Sequence, residues 1–184
     1  MLSNSDRQLL TELAKKSISY GLKHGCPLPI DTSALAAALT VPRATFVTLQ
    51  KHGELRGCIG MLEAKKPLAE DIAYNSYGAA FSDTRFPQLT EEELADLSIH
   101  ISILSPSELI HCQSEAELLQ LLRPNIDGLI LDDGMNRATF LPSVWQSLSN
   151  PTDFVHYLKM KAGLNDYSWL PELKAYRYTT EGFN

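Results

Sequence analysis

The chain has 184 residues, 44% hydrophobic and 21% charged, with a formal net charge of −6. This is the composition of a folded domain with one substantial core, and it fits neither a disordered chain nor a membrane class. The negative balance argues against general nucleic-acid binding, which needs a basic surface to neutralise phosphates.

Residues Ser5 to His24 carry Leu9, Leu10, Leu13, Ile18 and Leu22 near helical spacing, so a helix is expected there, capped by Asn4 or Ser5 and stopped by Gly25 and Pro27. Asp31 to Leu39 is alanine-rich and predicts a short second helix that closes before Pro42. Thr45 to Leu49 is β-branched and aromatic. With Gln50 to Gly53 as a turn, it predicts a hairpin whose second strand is Glu54 to Ile59. Pro67 opens a helix from Leu68 to Ala80, and Phe81 to Pro87 form a loop.

Thr90 and Glu93 have capping-box spacing before a short helix, which leads into the strict alternation of Leu97 to Leu104. There Ile99, Ile101 and Ile103 should face a core, and Ser98, His100 and Ser102 the other side. Ser114 and Glu117 are a second capping box, opening a helix through Leu122. Gly128 to Leu131 and Ala138 to Leu141 flank an Asp-Gly turn signal and predict a second hairpin. A helix after Pro142, another from Thr152 to Ala162 with Gly163 as its stop, and a last strand from Lys174 to Thr179 complete the chain. Hairpins and helices alternate irregularly, without the repeated strand and helix of a parallel sheet. The expected fold is α+β with a largely antiparallel sheet flanked by helices, in a single domain covering 1–184.

The most informative segment is Leu55-Arg56-Gly57-Cys58-Ile59-Gly60. On a regular strand Arg56 and Cys58 share a face roughly 6 to 7 Å apart, near enough for the guanidinium to favour thiolate over thiol. Gly57 and Gly60 remove bulk beside the sulfur, so another backbone, a loop or a ligand can come close. The alternative is a bulge or crowded packing site in which Cys58 is a small hydrophobe.

Cys26, Cys58 and Cys112 are odd in number and widely spaced, as reduced thiols are, and no CxxC pair suggests zinc. The His24/Cys26 and His111/Cys112 pairs are too isolated to define a metal site, so no metal is expected. Phosphate-loop, GxGxxG, GxSxG and HExxH motifs are absent from the sequence. His52 or His100 could serve Cys58 as a base only if the fold brings them together. Asp83 and Arg85 lie in a loop between Phe81 and Phe86, where they form either a binding element or a local ion pair. Lys161 sits in a last helical turn, where the helix dipole favours a cation. No stretch approaches the roughly 20 apolar residues of a spanning helix, and Met1 to Asp6 lack a leader's layout, so a cytoplasmic protein is expected.

Taken in order, Phe46-Val47-Thr48-Leu49, the hexamer, Ala79 to Phe86, Ile101 to Pro106, Asp127 to Ile130, Phe140-Leu141-Pro142 and Lys161 to Leu164 resemble the AMMECR domain family. The match looks most like the bacterial form called AmmeMemoRadiSam system protein A. The resemblance covers nearly the whole chain, and the hexamer is its signature. It implies two unequal lobes with the hexamer near a cleft between them. It further implies Cys58 and Arg56 as catalytic candidates, with Gly57, Gly60, Asp83 and Arg85 lining the site. A Memo-like protein and a radical SAM enzyme are the implied partners, in a redox or modification pathway. It names no reaction and no cofactor, so a non-catalytic adaptor for those partners stands beside an enzyme. Met61, where the family commonly has threonine, and His100, where an acid is common, are departures.

Overall fold

The computed structural model describes residues 2–164, 169 and 172–184. The chain divides into two compact units, residues 1–104 with 181–184 and residues 105–180.

The first unit begins with helix α1 (Asn4–His24), capped by Ser3, whose hydroxyl accepts the Asp6 N–H, and closed by Gly25 in the left-handed region. The expected second helix is instead a 3-10 turn at Thr32–Ala34 and a one-turn helix α2 (Ala37–Thr40). Asp31 does cap the start, accepting from the Ser33 N–H and hydroxyl, but the backbone leaves helical geometry at Leu35 and Ala36, so alanine propensity does not carry one helix through. Strands β1 (Thr45–Lys51) and β2 (Glu54–Gly60) form the expected hairpin, turning at His52 and Gly53, both at positive φ. Helix α3 (Leu68–Phe81), a 3-10 turn at Glu91–Asp96 and strand β3 (Leu97–Leu104) follow.

The second unit holds β4 (Glu108–Ile110), α4 (Glu115–Leu121), β5 (Gly128–Asp132), β6 (Arg137–Phe140), α5 (Pro151–Lys161) and β7 (Lys174–Tyr178). A final strand β8 (Thr180–Phe183), not anticipated from the sequence, returns to the first sheet. The two sheets have strand orders β2-β1-β3-β8 and β4-β7-β5-β6. The fold is therefore α+β with two antiparallel sheets flanked by helices, where one sheet was expected.

In the first unit Val47, Leu49, Ile99, Ile101 and Ile103 are buried with Leu10, Ile18, Leu68 and Ile72 of α1 and α3. Small residues let these helices meet closely: the Ser17 hydroxyl donates to the Ala73 carbonyl at 2.7 Å, and a side chain at Gly21 would overlap Tyr77 and Phe81. The second core is built on Trp145 stacked on Phe154 at 3.7 Å, with the indole N–H donating to the Asp127 carbonyl. Lys161 does more than sit at a dipole. Its Nζ donates to the Thr139 carbonyl of β6 and lies 5.3 Å from the Phe140 ring centroid, fastening α5 to the sheet.

Candidate functional site

The hexamer lies on β2, an edge strand of the first sheet. Its pairing with β1 is regular through Thr48 with Cys58 and Leu49 with Gly57, then jumps so that Gln50 meets Leu55. Arg56 is the extra residue of a β-bulge. Directly paired residues share a face, so Leu55 sides with Gln50 and Gly57 with Leu49, although these two lie two positions apart on β2. The alternation that would have placed Arg56 beside Cys58 is broken between them.

Arg56 turns instead toward the Leu49 face. Its Nε and Nη2 donate to Glu93 at 3.0 and 2.9 Å, and Lys51, on the same face as Leu49, donates to the same carboxylate at 3.1 Å. Arg56 is 8% exposed. Its fork, with help from the Thr90 N–H and Lys51, holds the Glu93 carboxyl down to about 2. The expected pairing of Arg56 with the Cys58 thiol is thus corrected: Arg56 is committed to Glu93.

The guanidinium near Cys58 belongs to Arg85. Asp83 accepts the Cys58 amide N–H at 2.8 Å, while Arg85 donates to Asp83 through Nε and Nη2 at 2.9 and 2.7 Å and reaches the Cys58 carbonyl at 3.5 Å. These backbone groups point away from β1, so the Asp83 and Arg85 side chains stand in for a neighbouring strand at the sheet edge. Asp83 is 8% exposed, and Arg85 first, then the amides it accepts, hold its carboxyl down to about 2 despite burial. Of the two readings of the loop, the local ion pair is present, and it pins the loop and braces the hexamer.

The Cys58 thiol is half-buried on the opposite face, 3.3 Å from the Thr48 hydroxyl. Thr48 lies between Cys58 and His100 in the strand order, so that histidine is two strand spacings, roughly 10 Å, from the thiol line. His100 Nδ1 is 2.6 Å from Asn184 Oδ1, and His52 lies in the exposed hairpin turn 3.7 Å from Asp96. Neither histidine is placed as a base for Cys58. Gly57 and Gly60 do admit close neighbours, but the neighbours are the protein's own: a side chain at Gly57 would overlap the Ala79 carbonyl of α3, and one at Gly60 the Phe46 ring.

Glu93, Thr48 and Phe86 are site residues that the sequence pattern did not single out for chemistry. Glu93 was visible only as a cap, and it does accept the Thr90 N–H at 3.1 Å. Among the described residues no cluster of three or more His, Cys, Asp or Glu could hold a metal, and no helix is long and apolar enough to cross a membrane.

The fold and this braced edge strand define the class as an α+β chain with two antiparallel sheets and a glycine-flanked thiol on a bulged edge. The family model described as AMMECR1 matches residues 11–183, and the chain belongs to that family. A protein of Methanothermobacter thermautotrophicus is 35% identical over 185 residues, spanning 100% of this chain and 96% of its own. One from Thermotoga maritima is 37% identical over 172 residues, spanning 92% and 94%. The crystal structure of the uncharacterised protein PH0010 from Pyrococcus horikoshii is similar with a TM-score of 0.86 at 30% identity, covering 95% of this chain and 88% of that one.

Proposed function

We propose that Cys58 is the working group of this protein, a thiol held by a rigid strand edge for nucleophilic or thiolate-ligand chemistry. The reading places the chain with the bacterial AmmeMemoRadiSam system protein A, acting beside a Memo-like protein and a radical SAM enzyme in a redox or modification pathway. The observation that carries it is the bracing of the Cys58 backbone from outside the sheet by Asp83 and Arg85, which fixes the strand that carries the thiol and sets a permanent cation 3.5 Å from the Cys58 carbonyl. The Arg85 charge is itself favoured by Asp83. Arg56 then acts as a positioning residue, through the bulge and Glu93.

Competition labelling with iodoacetamide, read by peptide mass spectrometry, tests this. Cys26 is exposed and Cys58 less so, while burial and Glu117 push the Cys112 thiol up. If Cys58 is the activated thiol it labels ahead of Cys26, and Arg85→Ala removes that lead. Labelling in simple order of exposure would defeat the reading.

The commitment of Arg56 to Glu93 favours a second reading, in which the braced edge is a docking surface and the protein an adaptor for the same two partners. Analytical ultracentrifugation of the purified components decides it. A complex that survives Cys58→Ala supports the adaptor, and no complex with either partner removes it.

A further inference from the structure

Arg56 and Arg85 are held in the same way. Each gives Nε and Nη2 to one carboxylate, Arg56 to Glu93 and Arg85 to Asp83. Each also lies beside the ring of Phe86, at 6.0 and 5.5 Å from its centroid. A guanidinium clamped along this edge keeps its Nη1 group for another acceptor. In Arg56 that Nη1 is buried and has no hydrogen-bond partner among the described residues. A charged donor left unmade in the interior is costly, and folded proteins keep few of them. The neighbouring Phe86 face attracts the cation but supplies no lone pair.

Arg85 is the outer member, with 56% of its side chain exposed. Among the groups joined in these pairs, Lys51, Arg56 and Arg85 face only Asp83 and Glu93, so one positive charge is uncompensated.

We propose that Arg56 and Arg85, set by Glu93 and Asp83 around Phe86, form a binding site for a phosphoryl group at the edge of β2. A planar carboxylate is best taken by a side fork of one guanidinium, and both Nε-side forks are occupied. A phosphoryl group offers three oxygens that accept single bonds from separate donors. The site shares Arg85 with the thiol reading but takes its ligand on the guanidinium side, whereas Cys58 sends its side chain to the Thr48 face of the sheet.

The test follows the arginine Nε–H resonances of the full-length ¹⁵N-labelled protein as inorganic phosphate is added at constant ionic strength. The Arg56 and Arg85 signals are expected to move together and saturate. Arg85→Lys, which keeps the charge but loses the fixed fork, should weaken binding about tenfold or more. Cys58→Ala should keep the saturable response of both arginine signals, which separates phosphate binding from the thiol chemistry. Parallel titrations with O-phosphoserine and acetate identify the source: tighter binding of O-phosphoserine points to a phosphate ester, tighter binding of inorganic phosphate to the free anion. An unsaturable response of the Arg56 signal, or saturation by acetate at the same concentrations, overturns the proposal.

Discussion

The carboxylate of Asp83 accepts the amide N–H of Cys58 at 2.8 Å, on the side of β2 that has no neighbouring strand among the described residues. A loop side chain thereby satisfies a backbone donor that would otherwise face solvent or recruit another chain. The same carboxylate also takes the Arg85 N–H and both nitrogens of its guanidinium fork. One residue therefore links the end of α3, the loop and the hexamer.

Asparagine replacement should have opposite signs at two buried aspartates of this unit. Asp83 is surrounded by donors, so Asp83→Asn breaks charge-assisted bonds and should cost about 1.5 to 3 kcal/mol. Asp71, 2% exposed, accepts from the Thr45 hydroxyl at 2.6 Å and the Asn75 amide at 2.9 Å, yet burial outweighs these bonds and pushes its carboxyl up. Asp71→Asn keeps an acceptor for both and removes the desolvated charge, so at pH 7 it should be neutral or stabilising by about 1 kcal/mol. Urea denaturation of the two variants checks this, and equal losses would show that partners and burial do not separate the sites.

The acid limb of stability should follow Asp83 and Glu93. Both carboxyls are held down to about 2 in the folded protein, by Arg85 and by Arg56 respectively. Their folded values lie below the unfolded ones, so the stability they contribute is complete above about pH 5 and is lost as pH falls toward 2. Asp71 runs the other way, its contribution being complete below the unfolded value and lost as pH rises through the folded one. Wild-type unfolding measured from pH 7 to pH 2 should show a steep acid loss that flattens in Asp83→Asn. An unchanged acid slope in that variant would remove Asp83 from the account.

Gly57 should tolerate no side chain. A Cβ there would overlap the carbonyl of Ala79, a backbone atom of α3 that cannot rotate away. Gly57→Ala is therefore expected to cost about 3 kcal/mol, at the upper end of overpacking. Gly78→Ala, whose Cβ would first meet the Ile59 side chain at 3.0 Å, should cost less. Thermal unfolding compares them, and a milder effect at Gly57 would mean that α3 and β2 can separate without loss.

Much of the fold was legible because burial follows period. The alternation of Ile99, Ile101 and Ile103 placed β3 correctly, and the turns after Lys51 and Asp132 placed both hairpins. The glycines of the hexamer raised a bulge or crowded packing site as one alternative, but not that the extra residue would be Arg56, since the place of a register shift depends on how β1 and α3 meet β2. Glu93 illustrates the same limit. Its spacing from Thr90 announced a cap, but the partner 37 positions away that fixes its charge is a tertiary fact. The split into two sheets was not legible either, because the partners that β3 and β7 take are long-range pairings, and the outer strands β4 and β8, three and four residues long, are too short to show a period.

The Arg56 and Glu93 pair should behave as a unit. Arg56 is buried and donates two hydrogen bonds to Glu93, so Glu93→Gln leaves a buried guanidinium facing a neutral amide and should cost about 3 kcal/mol. Arg56→Met alone strands a carboxylate that Lys51 still reaches at 3.1 Å, so its cost should be smaller. In the double variant Arg56→Met/Glu93→Gln no buried charge is left unpaired, only the partly exposed Lys51 losing its partner, and its loss should fall at least 1 kcal/mol short of the summed single losses. Equilibrium denaturation of the four proteins closes the cycle. Simple additivity would show that the bulge holds Arg56 in place without Glu93, and would free the guanidinium for a role other than positioning the hexamer.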